Sequence, residues 1–462
     1  MSKRPDCPNI LLIIADQHRQ DCVGYVRSEM HARTPHIDSL ASRGWIFDHC
    51  ITPAPICCPA RTALASGQRP GRLGVLDNDR YLPLSTVTLY QRIRDHGYWT
   101  GLVGKLDIEK GQYPGRDIGP DSRIPVMMSY GFCDHRHASA DMWIPDSPQM
   151  PFHYYLAERG LFETFRDDRR RRAEGRWCVR VNFDSPLPVE HHVERYAANH
   201  AIDFIENAPE GHPWFLQLSF DGPHDPFDPP TAFAERFRDI GVPDPIPADY
   251  TGKPRWVADR KWTDDADDIA IARRQYLASI EQIDTEIGRV LECLRRSGQT
   301  EDTIVVYTSD HGEMLGDFGL YQKEVPYESA IRVPLVIAGP GIATGVNSSL
   351  VDWMDLNPTL CEMAGLPPQE NIDARSLRPI IGDPDAVNRE SVIVSLSNFR
   401  ALRTDRFLYV ESFNDIPELY DLLVDPEQKN NLLAEAGRGE RETADLLSEQ
   451  LLAEEQQDRW LR

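Results

Sequence analysis

The 462-residue chain has no apolar run of membrane-spanning length, no CxxC cysteine pair, no long low-complexity block and no internal repeat. Those gaps exclude a transmembrane protein, a zinc ribbon, thioredoxin-like chemistry and a solenoid. Positive charge is scarce: 50 Lys and Arg face 73 Asp and Glu, for a formal net charge of −23. That is the wrong sign for a protein whose main partner is nucleic acid. The N-terminal apolar stretch, Ile10 to Ala15, is too short for a secretory signal and lacks a small-residue cleavage site. Nine scattered cysteines, an odd number, fit a reducing compartment. The expectation is a cytoplasmic protein with no membrane partner.

What is present reads as a globular α/β chain, 41% apolar and 27% charged. NILLIIADQ is an unbroken aliphatic run, as a parallel strand covered on both faces requires. YWTGLVGK (98–105), WFLQLSFDG (214–222), DTIVVYTSDHG (302–312) and PLVIAGPG (334–341) repeat the pattern. Helical segments lie between them; in residues 273–298 the apolar positions Tyr276, Ile280, Ile283, Ile287, Val290, Leu291 and Leu294 form one stripe. Strand–helix alternation predicts a doubly wound, mostly parallel sheet. Beyond it, SVIVSLSN, FRALRTDRFLYVE and IPELYDLLVDP predict short antiparallel strands, and the charged tail from Glu435 an amphipathic helix.

The expected organisation is therefore a catalytic α/β domain over 1–380 and a small C-terminal α+β domain over 381–462. An irregular insertion at about 107–190 decorates the rim. Within it, Trp143, Trp177, His135 and His137 are candidates for shaping a pocket. Arg166 to Arg172, mostly arginine, reads as a solvated helix face or, as the alternative, a grip on a polyanion. The tail helix either packs on its own domain or joins subunits of a homo-oligomer.

Ligands in open α/β sheets bind at the carboxyl ends of strands. The residues following the runs are Asp16-Gln17, then Lys105 and Asp107, then Asp221 and His224, then Asp310-His311, with Lys323 further along a glycine-spaced loop. Carboxylates, imidazoles and lysines thus converge on one crevice, the composition of an anion site built around a metal. Asp16, Gln17, Asp310 and His311 offer mostly oxygen donors, which suit Ca²⁺, Mg²⁺ or Mn²⁺. Asp-His-Gly alone would also serve as a helix cap, and Lys105, His224 and Lys323 each as loop residues. The coincidence of several strand ends favours the site.

ICCPARTALASG (56–67) sharpens this. Cys57-Cys58-Pro59-Ala60-Arg61, with Ser66-Gly67 downstream, resembles the signature of type I sulfatases, in the alkaline phosphatase superfamily. In that family the cysteine is oxidised after translation to formylglycine. Proline two positions on selects Cys57; Cys58 has Ala60 there. Gly97 to Lys105 resembles the family's GYxTxxxGK segment, and Glu418 to Leu432 its ELYDLxxDPxxxxNL pattern, so the likeness spans nearly the whole chain.

The resemblance implies an alkaline phosphatase-like fold, one divalent cation (calcium first, with manganese or magnesium as alternatives) and maturation by a formylglycine-generating enzyme. It implies a sulfuric ester hydrolase in which one hydroxyl of the hydrated aldehyde at residue 57 attacks sulfur and the other later expels sulfate. The metal ligands would be Asp16, Gln17, residue 57, Asp310 and His311. Arg61 would stabilise the modified residue, Lys105 and Lys323 the sulfate oxygens, and His224 the leaving oxygen. Asn78 would touch the sulfate.

Two departures stand out. Asp107 occupies the place of a family histidine and is assigned to the substrate or to base chemistry. Gln17 with His311 resembles the branch holding choline sulfatases and phosphonate monoester hydrolases. A phosphonate monoester or phosphodiester hydrolase is therefore the nearest alternative, and a non-catalytic binder of sulfated ligands with unmodified Cys57 the second. The substrate is a small-molecule or saccharide sulfate ester, of unspecified alcohol.

Overall fold

A computed structural model of the chain describes residues 7–110, 124–136, 146–174, 182–263 and 265–456. Trp143, Trp177 and His137 lie outside the described residues.

The large sheet is built from β1 (Asn9–Ala15), β2 (Trp45–Ile51), β3 (Trp99–Gly104), β4 (Asp134–Arg136), β5 (Trp214–Phe220), β6 (Thr303–Ser309), β7 (Arg332–Val333), β8 (Leu335–Ala338) and β9 (Gly345–Asp352). Its order is β4-β3-β5-β1-β6-β8-β2-β7, with β9 also on β2. The five strands from β4 to β6 are parallel. Every residue of β1, β5 and β6 is buried, which is why these segments read as continuous aliphatic runs. Helix Val193–Asn207 and the long helix Ala266–Arg296 cover one face, with Ala197, Phe204, Ile283 and Ile287 among the residues in its core. Helix Cys57–Ser66, with Leu64 and Ala65, lies in the core of the other face.

The mostly parallel sheet agrees with the sequence reading, with one difference of direction. The 334–341 run forms β8, which is antiparallel to β6: Thr308 pairs with Leu335 and Val305 with Ala338. The chain leaves β6 at the crevice end, loops there through residues 310–334 and re-enters at that same end, so no crossover intervenes. The insertion contributes more order than its composition suggested, namely edge strand β4 on β3 and the helices Pro151–Ala157 and Phe162–Glu174. The arginine run is not a uniform solvated face, because Arg169 and Arg172 are buried and Arg172 pairs with Asp168 at 2.7 Å.

Strands β10 (Ser391–Leu396), β11 (Phe399–Thr404), β12 (Phe407–Ser412) and β13 (Glu418–Asp421) form a four-stranded antiparallel sheet. One face, with Val392, Val394, Phe399 and Val410, packs on Ile51, Ile56, Phe318 and Tyr327. The other, with Ile393, Leu402 and Leu419, lies under Ala444, Leu447 and Leu451 of helix Arg438–Glu454. The tail helix thus packs on its own sheet. The Glu-Leu-Tyr-Asp-Leu stretch docks this sheet on the rest. Glu418 accepts from Tyr327 Oη at 2.9 Å, and Lys253 Nζ donates to Tyr420 Oη at 2.8 Å.

Three histidines are locked inside the fold. His18 Nε2 lies 2.9 Å from the Cys22 carbonyl and Nδ1 2.5 Å from Tyr307 Oη. Burial pushes His18, His153 and His192 down to about 4 from the usual 6.5. Their folded pKa lies below the unfolded one, so between pH 6.5 and 4 the unfolded chain binds the extra protons and stability falls as pH falls. We expect the melting temperature to drop through that window. His153→Leu should recover part of the loss, on the order of 1–3 kcal/mol at pH 4.5 relative to pH 7; an unchanged pH profile would contradict this.

Candidate active site

The site sits at the carboxyl ends of β1, β3, β5 and β6, as the strand-end reading required. Asp16 follows β1 and Asp310 follows β6, and both are fully buried. The Gln17 amide donates to Asp310 Oδ1 at 3.1 Å, tying the two strand ends together. Cys57 is the first residue of helix Cys57–Ser66, all ten residues of which are buried. Its sulfur therefore lies at the positive end of a helix dipole. Cys57 Sγ is 3.2 Å from His311 Nε2, 3.9 Å from both Asp16 carboxylate oxygens and 3.6 Å from Lys105 Nζ. One donor atom from each of Asp16, Cys57, Asp310 and His311 falls within 4.8 Å of the others.

Arg61, one helical turn beyond Cys57, holds this cluster together. Nε donates to Asp310 Oδ2 at 2.7 Å, and Nη1 to the Lys105 carbonyl at 3.0 Å and to Ser219 Oγ at 2.8 Å. Nη2 lies 3.7 Å from Asp16 Oδ2. Lys105 Nζ bonds Asp16 and sits 3.2 Å from Asp107 Oδ2. Burial alone would raise Asp16, but Lys105, His224, Arg61 and His311 outweigh it and hold the carboxyl well below its usual range. Burial and Asp16 push the Cys57 thiol up, yet Lys105, Lys323 and His311 bring it well below a normal thiol.

A second group lies beside the first. Lys323 Nζ bonds the Gln17 carboxamide oxygen and lies 2.6 Å from His224 Nε2, while His224 Nδ1 faces the Asp225 carbonyl at 2.7 Å. Gln17 Nε2 donates to Glu313 and, at 3.4 Å, to Asp225. The Gln17 side chain is thus engaged with Lys323, Asp225 and Glu313, beside the four-donor cluster. Asn78 Oδ1 accepts from the Cys58 amide at 3.0 Å. Asn78, Lys105, His224 and Lys323 all line one cavity of about 200 Å³.

Asp107 adopts a left-handed backbone (φ 59°) and sits between two lysines, with Lys110 Nζ at 3.1 Å. Burial raises it, but Lys105 and Lys110 prevail and keep it ionised far below the usual range. Cys58 has no part in the cluster; its sulfur donates to the Arg80 carbonyl at 3.2 Å, and burial raises its pKa to about 12.

The sequence reading missed Glu313, Ser219, Asp225 and Gln322, which lines the same cavity and whose Nε2 donates to Asp225 Oδ2 at 3.2 Å. Asp225 stands next to His224 and Glu313 two residues after His311, so adjacency to a strand-end motif was the available signal. Burial and Asp225 raise Glu313 to about 7.

The sulfatase family matches residues 8–366, well over half the chain. The chain belongs to the sulfatase family. A second match, to the C-terminal region of N-sulphoglucosamine sulphohydrolase, covers residues 316–457. Among relatives of this sulfatase-family chain, an arylsulfatase of Clostridium perfringens is 27% identical over 455 residues, 92% of this chain and 90% of that enzyme. A choline-sulfatase of Rhizobium meliloti is 29% identical over 469 residues, 95% and 85%. Among solved structures, the phosphonate monoester hydrolase of Agrobacterium radiobacter superposes with a TM-score of 0.79 at 24% identity, over 97% of this chain and 96% of that one. The alkaline phosphatase-like fold is thereby shared.

Removing Arg61 leaves two buried carboxylates short of a counter-ion. We expect Arg61→Ala to cost about 3–5 kcal/mol in urea unfolding, and Arg61→Lys less. A loss under about 1 kcal/mol, the level of an exposed ion pair, would contradict the bridging role.

Proposed function

We propose that this chain hydrolyses a sulfate monoester to an alcohol and inorganic sulfate, with formylglycine formed from Cys57 as its nucleophile. The observation carrying the proposal is Cys57 itself, in Cys-Cys-Pro-Ala-Arg, at a buried helix start within reach of Asp16, His311 and Lys105. Two buried carboxylates and an imidazole fit a hard divalent cation, calcium before manganese or magnesium. A thiol is the misfit among those donors, and its exchange for a hydrated aldehyde removes the misfit. Asp16, Asp310, His311 and residue 57 would hold the cation, with Gln17 at the margin of the set. The cation and the formylglycine hydrate together supply an acidified hydroxyl for attack on sulfur.

The remaining residues act on the sulfate and the alcohol. Burial lowers Lys105 and Lys323, but neighbouring carboxylates and Cys57 raise both, so each stays charged at the cavity wall. They neutralise the sulfate oxygens where charge builds up. Asn78 borders the same space and adds a polar contact. Arg61 fixes Asp310 and the helix turn carrying Cys57. Asp107 keeps Lys105 in place and stays ionised, which favours an orienting role over proton abstraction. His224 is the group placed for the leaving oxygen: burial and Lys323 lower its pKa, Asp225 with Asp16 outweigh them, and Nε2 takes a proton to donate when Lys323 leaves it for the sulfate.

The cations Lys105, Lys110, Arg169 and Lys323 around one cavity also favour a second reading, a phosphonate monoester or phosphodiester hydrolase with the same nucleophile. No helix among the described residues is long and apolar enough to cross a membrane. Eight described cysteines are free thiols, which supports a cytoplasmic setting and maturation there by a formylglycine-generating enzyme. We divide the chain into a catalytic unit, 1–380, and a C-terminal unit, 381–462.

Peptide mass over residues 56–61, from cells with the maturation enzyme, should show aldehyde at Cys57; a plain thiol would contradict catalysis. Cys57→Ala should abolish turnover and Cys58→Ala leave most of it, and the reverse would move the nucleophile to Cys58. Rates on an aryl sulfate, phosphonate and phosphodiester separate the two hydrolase readings, a far lower sulfate rate favouring the second. His224→Gln should slow an alkyl sulfate by about 10²–10⁴-fold and 4-nitrophenyl sulfate much less, because nitrophenolate leaves without a proton. Equal losses on both would remove His224 as the acid.

A further inference from the structure

The same cavity is also lined by residues given no part in the attack on sulfur. Arg169, His192, Glu194, Asp228, Ser279 and Gln282 border it, from three helices and the loop after β5. Among the described lining residues there is no phenylalanine, tyrosine or tryptophan. A quaternary ammonium group is held by aromatic faces, and an aryl group by apolar or aromatic walls. The described walls offer no aromatic face; their apolar part is confined to Ile56, Val193, Pro223 and Pro226.

They offer unspent hydrogen-bonding capacity instead. Glu194 is 3% exposed; its Oε1 accepts from the Gly222 amide at 2.8 Å, and its buried Oε2 has no partner among the described residues. Arg169 is 6% exposed; Nη1 donates to Asp228 at 2.8 Å, while Nε has no partner among the described residues. Gln282 is 1% exposed; its Nε2 meets His192 Nδ1 at 2.8 Å and its carbonyl oxygen has no donor among the described residues. Burial and Asp221 hold Glu194 well above the usual carboxyl range. Burial keeps His192 neutral, as acceptor of the Gln282 amide. A buried polar atom without a partner costs about 1–3 kcal/mol. Several around one cavity are explained by a ligand that satisfies them.

We propose that Glu194, Arg169 and Gln282 form a hydroxyl-binding subsite for the alcohol part of the ester, so that the substrate is a sulfated saccharide. Ring hydroxyls donate and accept in close succession, matching a carboxyl oxygen, a guanidinium N–H and an amide oxygen on residues that line one cavity. The proposal rests on the sulfate-ester reading and narrows its alcohol.

The test uses full-length enzyme with Cys57 converted. Its substrates are the 6-sulfates of glucose, galactose and N-acetylglucosamine, with choline sulfate and 4-nitrophenyl sulfate for comparison. We expect KM for at least one sugar sulfate to lie tenfold or more below that for choline sulfate. Glu194→Gln and Gln282→Leu should each lower the ratio of kcat/KM on that sugar sulfate to kcat/KM on 4-nitrophenyl sulfate about tenfold, chiefly through KM. Glu194→Gln keeps an oxygen for the Gly222 amide, and melting curves confirm that each variant is folded. A ratio within twofold of the parent in both folded variants, or choline sulfate as the best substrate, overturns the subsite while leaving sulfate hydrolysis intact. Failure to cleave any sulfate ester would instead overturn the sulfate-ester reading beneath it.

Discussion

The site depends on a pair of buried carboxylates at neighbouring strand ends, Asp16 and Asp310, held by Arg61. Two like charges without solvent cannot share such a space unless cations and donors surround them. Arg61 supplies a direct bond to Asp310 and proximity to Asp16, and Lys105 a bond to Asp16. Because Arg61 rides one turn beyond Cys57, the same side chain that neutralises the carboxylates also fixes the helix start that presents Cys57. Chemistry and folding therefore draw on one network: what keeps Asp16 ionised also builds the candidate cation site.

Around that pair the residues divide by task. Asp16, Cys57, Asp310 and His311 present donors to a common point, while Lys105, Lys323 and His224 face the cavity where an ester's anionic group and leaving oxygen would sit. Gln17 and Glu313 belong to a connecting layer beneath Lys323 and Asp225. Asp107, clasped by Lys105 and Lys110, tethers lysines and stays ionised far below the usual carboxyl range.

Most of the site was legible because its residues follow unbroken aliphatic runs, and a strand buried on both faces leaves few other readings of NILLIIA or TIVVYTS. β2 escaped notice since Trp45–Ile51 is only partly buried, with Asp48 and His49 less buried than their neighbours, and β9 carries Asn347, Ser348 and Ser349. Such strands lack both a clean alternation and a hydrophobic run. The direction of β8 was hidden for another reason: an aliphatic tetrapeptide looks the same whichever way it runs. The inward turn of Arg169 was hidden too, because only tertiary packing on Asp228 separates it from the exposed arginines beside it.

The most direct test of the account is a crystal structure of the full chain, produced with the maturation enzyme and crystallised with calcium. It should show two hydroxyl oxygens on the side chain of residue 57, and a cation ligated by one of them together with Asp16, Asp310 and His311. An intact thiol at residue 57, with Lys105 still bonded to Asp16 and no cation among these donors, would contradict it.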